Sequence, residues 1–312
     1  IKEANETFFV NLSNPTNAVI ADGQGVGIII DNDRAVIADF DNDGKSDFSV
    51  WRPADGYWYI LPSTSQILNA RQFGANGDKI VPGDYDGDGR TDLAVFRPSE
   101  GMWYIQRSSD FGFVAAQFGN STDIPVQGDY NGDGRTDLAV FRPSTGVWYI
   151  ARPTGIPSQN FDSIQFGQSG DRPVQGDYDG DAKTDVAVYR NGNWYVLRSS
   201  DGAFVAQQFG LGSDTPVVGD FDGDGRVDFT VYRDNTWYIL QSLTGAFRAV
   251  QFGTTGDIPM AADFDGDGTA DITVFRPSNG FWYVLRSSDG AFVAQQWGQN
   301  ADVPVPAAYQ PR

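Results

Sequence analysis

The sequence predicts an all-β protein: a β-propeller of four-stranded blades, six in number, with a short N-terminal β segment. Three observations carry that prediction. An acidic nine-residue pattern recurs six times along 312 residues. The same succession of short apolar and aromatic runs follows each copy. No window sustains a helical period, so no long helix is expected.

The pattern is D-x-D/N-x-D-G/A-x-x-D. Its copies begin at Asp39, Asp84, Asp129, Asp177, Asp220 and Asp263, at intervals of 45, 45, 48, 43 and 43 residues. A period of that length suits four short strands joined by tight turns, which is one propeller blade. Residues 124–130 of the third unit read as a first strand running into the acidic loop. Residues 137–143 (DLAVFRP) form the second strand. A Ser144-Thr145-Gly146 turn leads into 147–150 (VWYI), and the last strand ends in Gln165-Phe166-Gly167. Strands of 4–7 residues are expected throughout, punctuated by Gly, Pro, Ser and Asp. The stretch YVLRSSDGAFVAQQ occurs twice, at 195–208 and 283–296. Alternate residues of a strand face opposite ways. Runs such as 138–141 and 148–150 are apolar or aromatic on both faces, as a blade packed between two other blades requires. One tryptophan per unit, Trp58, Trp103, Trp148, Trp194, Trp237 and Trp282, is read as core between blades. Trp51 and Trp297 read as size variants of Phe or Tyr positions.

The acidic loops carry metal-binding chemistry. Asp at positions 1, 3, 5 and 9 offers hard oxygen ligands, and position 7 adds a backbone carbonyl, a set suited to calcium. The candidate ligands of the first loop are Asp39, Asp41, Asp43, Lys45 and Asp47. The second has Asp84, Asp86, Asp88, Arg90 and Asp92. The third has Asp129, Asn131, Asp133, Arg135 and Asp137. The fourth has Asp177, Asp179, Asp181, Lys183 and Asp185. The fifth has Asp220, Asp222, Asp224, Arg226 and Asp228, and the sixth Asp263, Asp265, Asp267, Thr269 and Asp271. Lys, Arg and Thr enter only through their main-chain oxygen. Glycine at position 6 permits the sharp turn, and Ala182 in the fourth loop is expected to strain or weaken that site. An EF-hand would need a bidentate Glu at position 12; valine stands there in all six copies.

Charge supports the same reading. Twenty-three of the 41 acidic residues stand at these loop positions, leaving 18 against 22 Lys and Arg. The whole negative excess is therefore in the loops. Clustered carboxylates repel unless a cation neutralises them. About six Ca²⁺, one per repeat, would bring −19 to about −7. Extracellular calcium modules have Kd of roughly 10⁻⁴–10⁻³ M. Each site would then add about 1.5 kcal/mol in millimolar calcium, on the order of 9 kcal/mol in total, so the metal is read as structural.

Composition excludes several classes. With no cysteine and no histidine there is no disulfide, no thiolate nucleophile and neither the commonest general base nor the commonest zinc ligand. A net charge of −19 argues against nucleic acid and anionic membrane surfaces. No apolar run approaches the roughly 18 residues of a spanning helix. The chain starts at Ile1 without a signal peptide and reads as a mature or excised piece of something longer.

Each unit also pairs an arginine with an aspartate 19 residues earlier: Asp33 with Arg52, Asp78 with Arg97, Asp123 with Arg142, Asp171 with Arg190, Asp214 with Arg233 and Asp257 with Arg276. An ion pair within each blade is expected; a ring of arginines holding an anionic or polyhydroxyl ligand is the alternative. Residues 302–309 repeat the first strand a seventh time without the loop. That copy is expected to sit innermost beside the first unit, closing six blades. Seven blades, completed by residues 1–33, is the rival arrangement.

The acidic loop between two strands, followed by an apolar strand and preceded by Phe-Gly, resembles the FG-GAP/VCBS repeat over residues from about 34 to 309. That resemblance implies a β-propeller whose calcium loop joins the innermost strand to the second. Such repeats occur in integrin α-chain heads, fungal and bacterial lectins and secreted bacterial proteins. Phe-Arg-Pro or Tyr-Arg stands here where the integrin-like pattern has Gly-Ala-Pro. Residues 1–33, with 6–15 (ETFFVNLSNP), 21–27 (ADGQGVG) and Asp31-Asn32-Asp33, resemble the last strands of a Calx-beta domain. The domains expected are thus 1–33, a C-terminal Calx-beta fragment, and 34–312, the propeller. Open strand edges in the fragment could pair with another chain. The function expected is a non-enzymatic, secreted or cell-surface bacterial scaffold for adhesion or interaction with protein or glycan partners. A multivalent lectin is the alternative, and a propeller hydrolase or lyase the third reading.

Overall fold

The computed structural model describes residues 6–16, 23–29, 36–152 and 154–309. The chain divides into two compact units, Ile1–Arg34 and Ala35–Arg312, one residue beyond the boundary read from the sequence. In the first unit Glu6–Asn11 pairs antiparallel with Gln24–Ile29. Asp31 to Asp33 of the Calx-beta-like pattern lie outside the described residues.

The second unit is a ring of six four-stranded antiparallel sheets, so it has six blades and not seven. Blade 3 shows the plan from the axis outward: Ile124–Pro125, Ala139–Arg142, Val147–Ala151 and Phe161–Gln165. Blade 1 is completed by the far end of the chain. Val303–Pro304 pairs with Phe48–Arg52, placing Val303 opposite Trp51, as expected for closure.

Two expectations about strands need correction. The innermost strands were expected at 4–7 residues, but four of them form a ladder of only two. Blade 6 keeps five residues, Ile258–Ala262, up to the same kind of loop, and elsewhere bonds such as Val126 N–H to the Ala139 carbonyl continue the pairing beyond the short ladder. The seventh first-strand copy is likewise a strand only at Val303–Pro304. Residues Val305–Tyr309 form a 3₁₀ turn, with Val305 and Ala307 buried.

Second and third strands are buried on both faces because they lie between sheets. All six per-unit tryptophans are fully buried. Trp148 packs on Phe141 with ring centroids 5.3 Å apart, and the same core includes Val186 and Val188 of blade 4. Across the closure, Val50 of blade 1 packs with Phe275 and Trp282 of blade 6. Each indole N–H is also satisfied: Trp148 Nε1 donates to the Phe166 carbonyl at 2.7 Å, the residue before Gly167.

The Asp–Arg pairs form at the end of each blade opposite the loops. Arg142 grips Asp123 through Nε and Nη2, both at 2.9 Å, and lies 4.5 Å above the Tyr149 ring. Arg97–Asp78, Arg190–Asp171 and Arg276–Asp257 are equally bidentate, while Arg233 meets Asp214 through Nη1 alone at 3.4 Å. The Asp33–Arg52 pairing is corrected. Arg52 binds Asp302 at 2.8 and 3.0 Å, because the closing strand supplies the innermost position of blade 1; Asp33 lies outside the described residues.

Trp148→Ala should cost about 3–5 kcal/mol in urea unfolding, the range for emptying a buried aromatic site. Phe204→Ala, at a side chain 61% exposed on an outer strand, should cost under about 1 kcal/mol in the same assay.

Candidate metal centres in the acidic loops

Each loop is built by its own carboxylates capping its own main chain. The position 1 aspartate accepts the N–H groups of positions 4 and 6; for Asp84 these are Gly87 at 2.6 Å and Gly89 at 2.9 Å. The position 5 aspartate accepts the N–H of position 7, as Arg90 to Asp88 at 2.9 Å. The position 9 aspartate accepts the N–H of position 2, as Tyr85 to Asp92 at 2.9 Å. These bonds curl the chain so that side-chain oxygens face inward. Five loops bring three carboxylates together with oxygens all within 4.8 Å of one another: Asp39–Asp41–Asp43, Asp84–Asp86–Asp92, Asp177–Asp179–Asp185, Asp220–Asp222–Asp228 and Asp263–Asp265–Asp271.

Adjacent loops are stitched to one another. The N–H of position 8 donates to the position 1 carbonyl of the preceding loop: Thr91 to Asp39, Thr136 to Asp84, Thr184 to Asp129, Val227 to Asp177 and Ala270 to Asp220, at 2.6–2.7 Å. Ser46 to Asp263 at 2.6 Å closes the circle. Side chains at position 7 cross the same seams. A Cβ added at Gly132 would lie 2.8 Å from the Lys183 side chain, and Gly132 has φ +80°, a left-handed conformation that Asn42 adopts at the same position of the first loop.

Sequence reasoning missed a second set of site residues. The turn between third and outer strands folds over the loop in five blades. Ser108 donates its N–H to Asp92 at 2.6 Å and its hydroxyl to Asp88 at 2.8 Å, and Ser109 Oγ donates to Asp86 at 2.6 Å. Ser199, Ser242 and Ser287 make the same N–H and hydroxyl bonds, and Ser63 bonds Asp47 through its N–H and Asp43 through its hydroxyl. The signal was in the repeat. The Arg-Ser-Ser-Asp runs at 198–201 and 286–289 sit inside the duplicated stretch and also occur at 107–110.

Those partners leave one oxygen unserved in four of the six loops. Asp41, Asp179, Asp222 and Asp265, all at position 3, each keep a buried Oδ1 without any hydrogen-bond partner. A buried, unpaired carboxylate oxygen beside two further carboxylates is costly. A divalent cation would satisfy it, and an all-oxygen donor set suits a hard cation. The residues of these loops therefore fit a metal. The cost also shows in protonation. Burial pushes Asp47 and Asp92 up to about 7, against the lowering effect of the N–H bonds they accept. Burial likewise raises Asp137, Asp185, Asp228 and Asp271 to about 6.

Ala182, expected to strain the fourth loop, holds the conformation its glycine counterparts adopt. Its φ is +66°, and its N–H still reaches Asp177 at 2.8 Å.

Fold and loops together define a six-bladed β-propeller with an acidic turn in every blade. The profile of the FG-GAP-like repeat matches residues 39–95, 84–140, 129–188, 177–231 and 220–274, and the chain belongs to that family. No curated protein sequence matches it. Among solved structures, a lectin from Agrocybe aegerita described as recognising non-reducing terminal N-acetylglucosamine is 19% identical with a TM-score of 0.54, covering 81% of this chain and 76% of that one. A streptogramin B lyase is 10% identical with a TM-score of 0.52, covering 95% and 89%. At such identities the likeness shows the fold alone.

Two outcomes test the loops. Ala182→Gly should raise stability by about 1 kcal/mol in urea unfolding by removing the left-handed strain of a Cβ. In EDTA, the position 9 carboxyls bind more protons folded than unfolded, so stability is greatest at low pH within the window from about 4 to 7 and falls as pH rises through it. Calcium-free protein should therefore melt at a higher temperature at about pH 5 than at about pH 7.5. The opposite order would contradict the burial argument.

Proposed function

We propose that this chain is a calcium-stabilised β-propeller scaffold that presents interaction surfaces outside the cell, without catalysing a reaction. The observation that carries the calcium reading is the position 3 carboxylate, buried with one oxygen unpaired in four separate loops. The Asp side chains at positions 1, 3, 5 and 9 would hold the ion, which supplies the positive charge the inward-facing oxygens lack. An extracellular or cell-surface setting follows from that demand, since millimolar calcium is available there. The acidic groups recur with the repeat and so single out no one blade for chemistry, and neither histidine nor cysteine is present. The Glu6–Asn11 and Gln24–Ile29 pair fits the closing strands of a Calx-beta domain, with strand edges able to take a further strand.

A lectin is the second reading, and the outer strands favour it. Phe113, Phe204, Phe247 and Phe292 are 61–63% exposed, and each stacks on a tyrosine of the neighbouring strand, as Phe204 on Tyr195 at 6.1 Å. Such repeated aromatic faces can stack on sugar rings.

Thermal unfolding in about 2 mM calcium against EDTA tests the calcium reading. A rise of roughly 10 °C or more is expected, and magnesium should not reproduce it. An unchanged melting temperature would overturn it. A glycan array run with and without EDTA separates the two readings: calcium-dependent hits favour the lectin, a blank array the protein scaffold.

A further inference from the structure

The third loop departs from the other five in three linked ways. Position 3 is Asn131, and its amide nitrogen donates to both oxygens of Asp137, at 2.9 and 3.1 Å. In the other loops the position 9 carboxylate takes that second bond from the N–H of a turn serine: Ser63, Ser108, Ser199, Ser242 or Ser287. The residue aligned with those serines in blade 3 is Pro153. Proline has neither an N–H nor a hydroxyl, so residue 153 lacks the donors with which the serines hold positions 9 and 5. The turn is also longer, with Gln159 and Asn160 bonding back to the Ile156 carbonyl. Among the described residues neither Asp133 nor Asp137 takes a hydrogen bond from it. Asn131 is in consequence exposed, whereas Asp179 and Asp265 at the same position have side chains only 3% and 7% exposed.

These departures compensate one another. The serine N–H is lost, and the asparagine amide replaces it as the donor to Asp137. The amide thereby takes the place that an inward carboxylate holds elsewhere. The loop has one negative ligand fewer, and no position 3 carboxylate oxygen is left unpaired. Ligand charge count sets the affinity of a calcium loop.

With calcium in the other five loops, as proposed above, we infer that the third loop is organised by the Asn131–Asp137 hydrogen bonds in place of a cation. The ring therefore binds five calcium ions, and blade 3 keeps its turn when calcium is removed.

Native mass spectrometry and equilibrium dialysis of the whole chain, at calcium concentrations that saturate the tight sites, count the ions. Five are expected. Asp133→Ala should leave five, Asp224→Ala should leave four, and the double variant N131D/P153S should bind six. Six ions in the unaltered chain, four in Asp133→Ala, or five in the double variant would each overturn the assignment. A count of zero in the unaltered chain would instead remove the calcium reading itself, which keeps the two failures apart.

Discussion

Each blade turns on one buried carboxylate, the aspartate at the ninth position of its loop. Asp92 ties the start of the loop through the Tyr85 N–H and the outer turn through the Ser108 N–H. It also opens the second strand: its own N–H bonds the Gly83 carbonyl of the innermost segment. One residue thus fixes the innermost segment through its main chain and the loop and outer turn through its carboxylate. Its neighbour Thr91 reaches the Asp39 carbonyl of the preceding loop. The price is burial of charge, seen in the raised pKa near 7. Six repeats of that cost around one axis make an unneutralised ring unfavourable near neutral pH.

The tryptophan layer and the loops hold the ring in different ways. The layer is apolar, buried and hydrogen-bonded through the indole N–H, so it is indifferent to ions. The Asp–Arg pairs beyond it combine a side chain almost fully buried, Asp123, with an arginine 27% exposed that also covers Tyr149. Pairs of that kind fix geometry more than they add stability, since desolvation offsets much of the attraction. The loops add an aromatic residue to this layer, as Phe221 packed on Trp237 at 6.0 Å, but their curl rests on hydrogen bonds to carboxylates. The carboxyls that burial raises most lie at the loop end of the propeller.

Much of this was legible in the residues because a repeat states its own register. Six copies of one loop located every blade, and apolar residues on both faces of the second and third strands announced sheet-on-sheet burial. Closure was readable from the surplus first-strand copy at 302–309. What stayed hidden were relations between units. The Arg52 partner could not be taken from sequence distance, because blade 1 borrows its innermost strand and with it Asp302. The serine turn was hidden for a related reason: a hydroxyl meets the loop only once four strands have folded back on themselves. Asn131 reads as a conservative change at a ligand position until Pro153 is set beside it.

The ring is latched twice where it closes, at opposite ends of blade 1. At one end Arg52 holds Asp302 across a sequence separation of 250 residues, and Trp297 Nε1 donates to the Tyr59 carbonyl. At the loop end Ser46 N–H meets the Asp263 carbonyl, and the Lys45 side chain lies over Gly266. Contacts so distant in sequence must wait for the intervening blades, and loop closure makes them slow to form. The first latch is an ion pair and an indole hydrogen bond, neither of which involves an acidic loop. The second needs loops 1 and 6 already folded, and both are among those with an unpaired position 3 oxygen, on Asp41 and on Asp265. A cation in those two loops would therefore act on the seam as much as on its own blade, since it fixes the carbonyl and the N–H that close the circle.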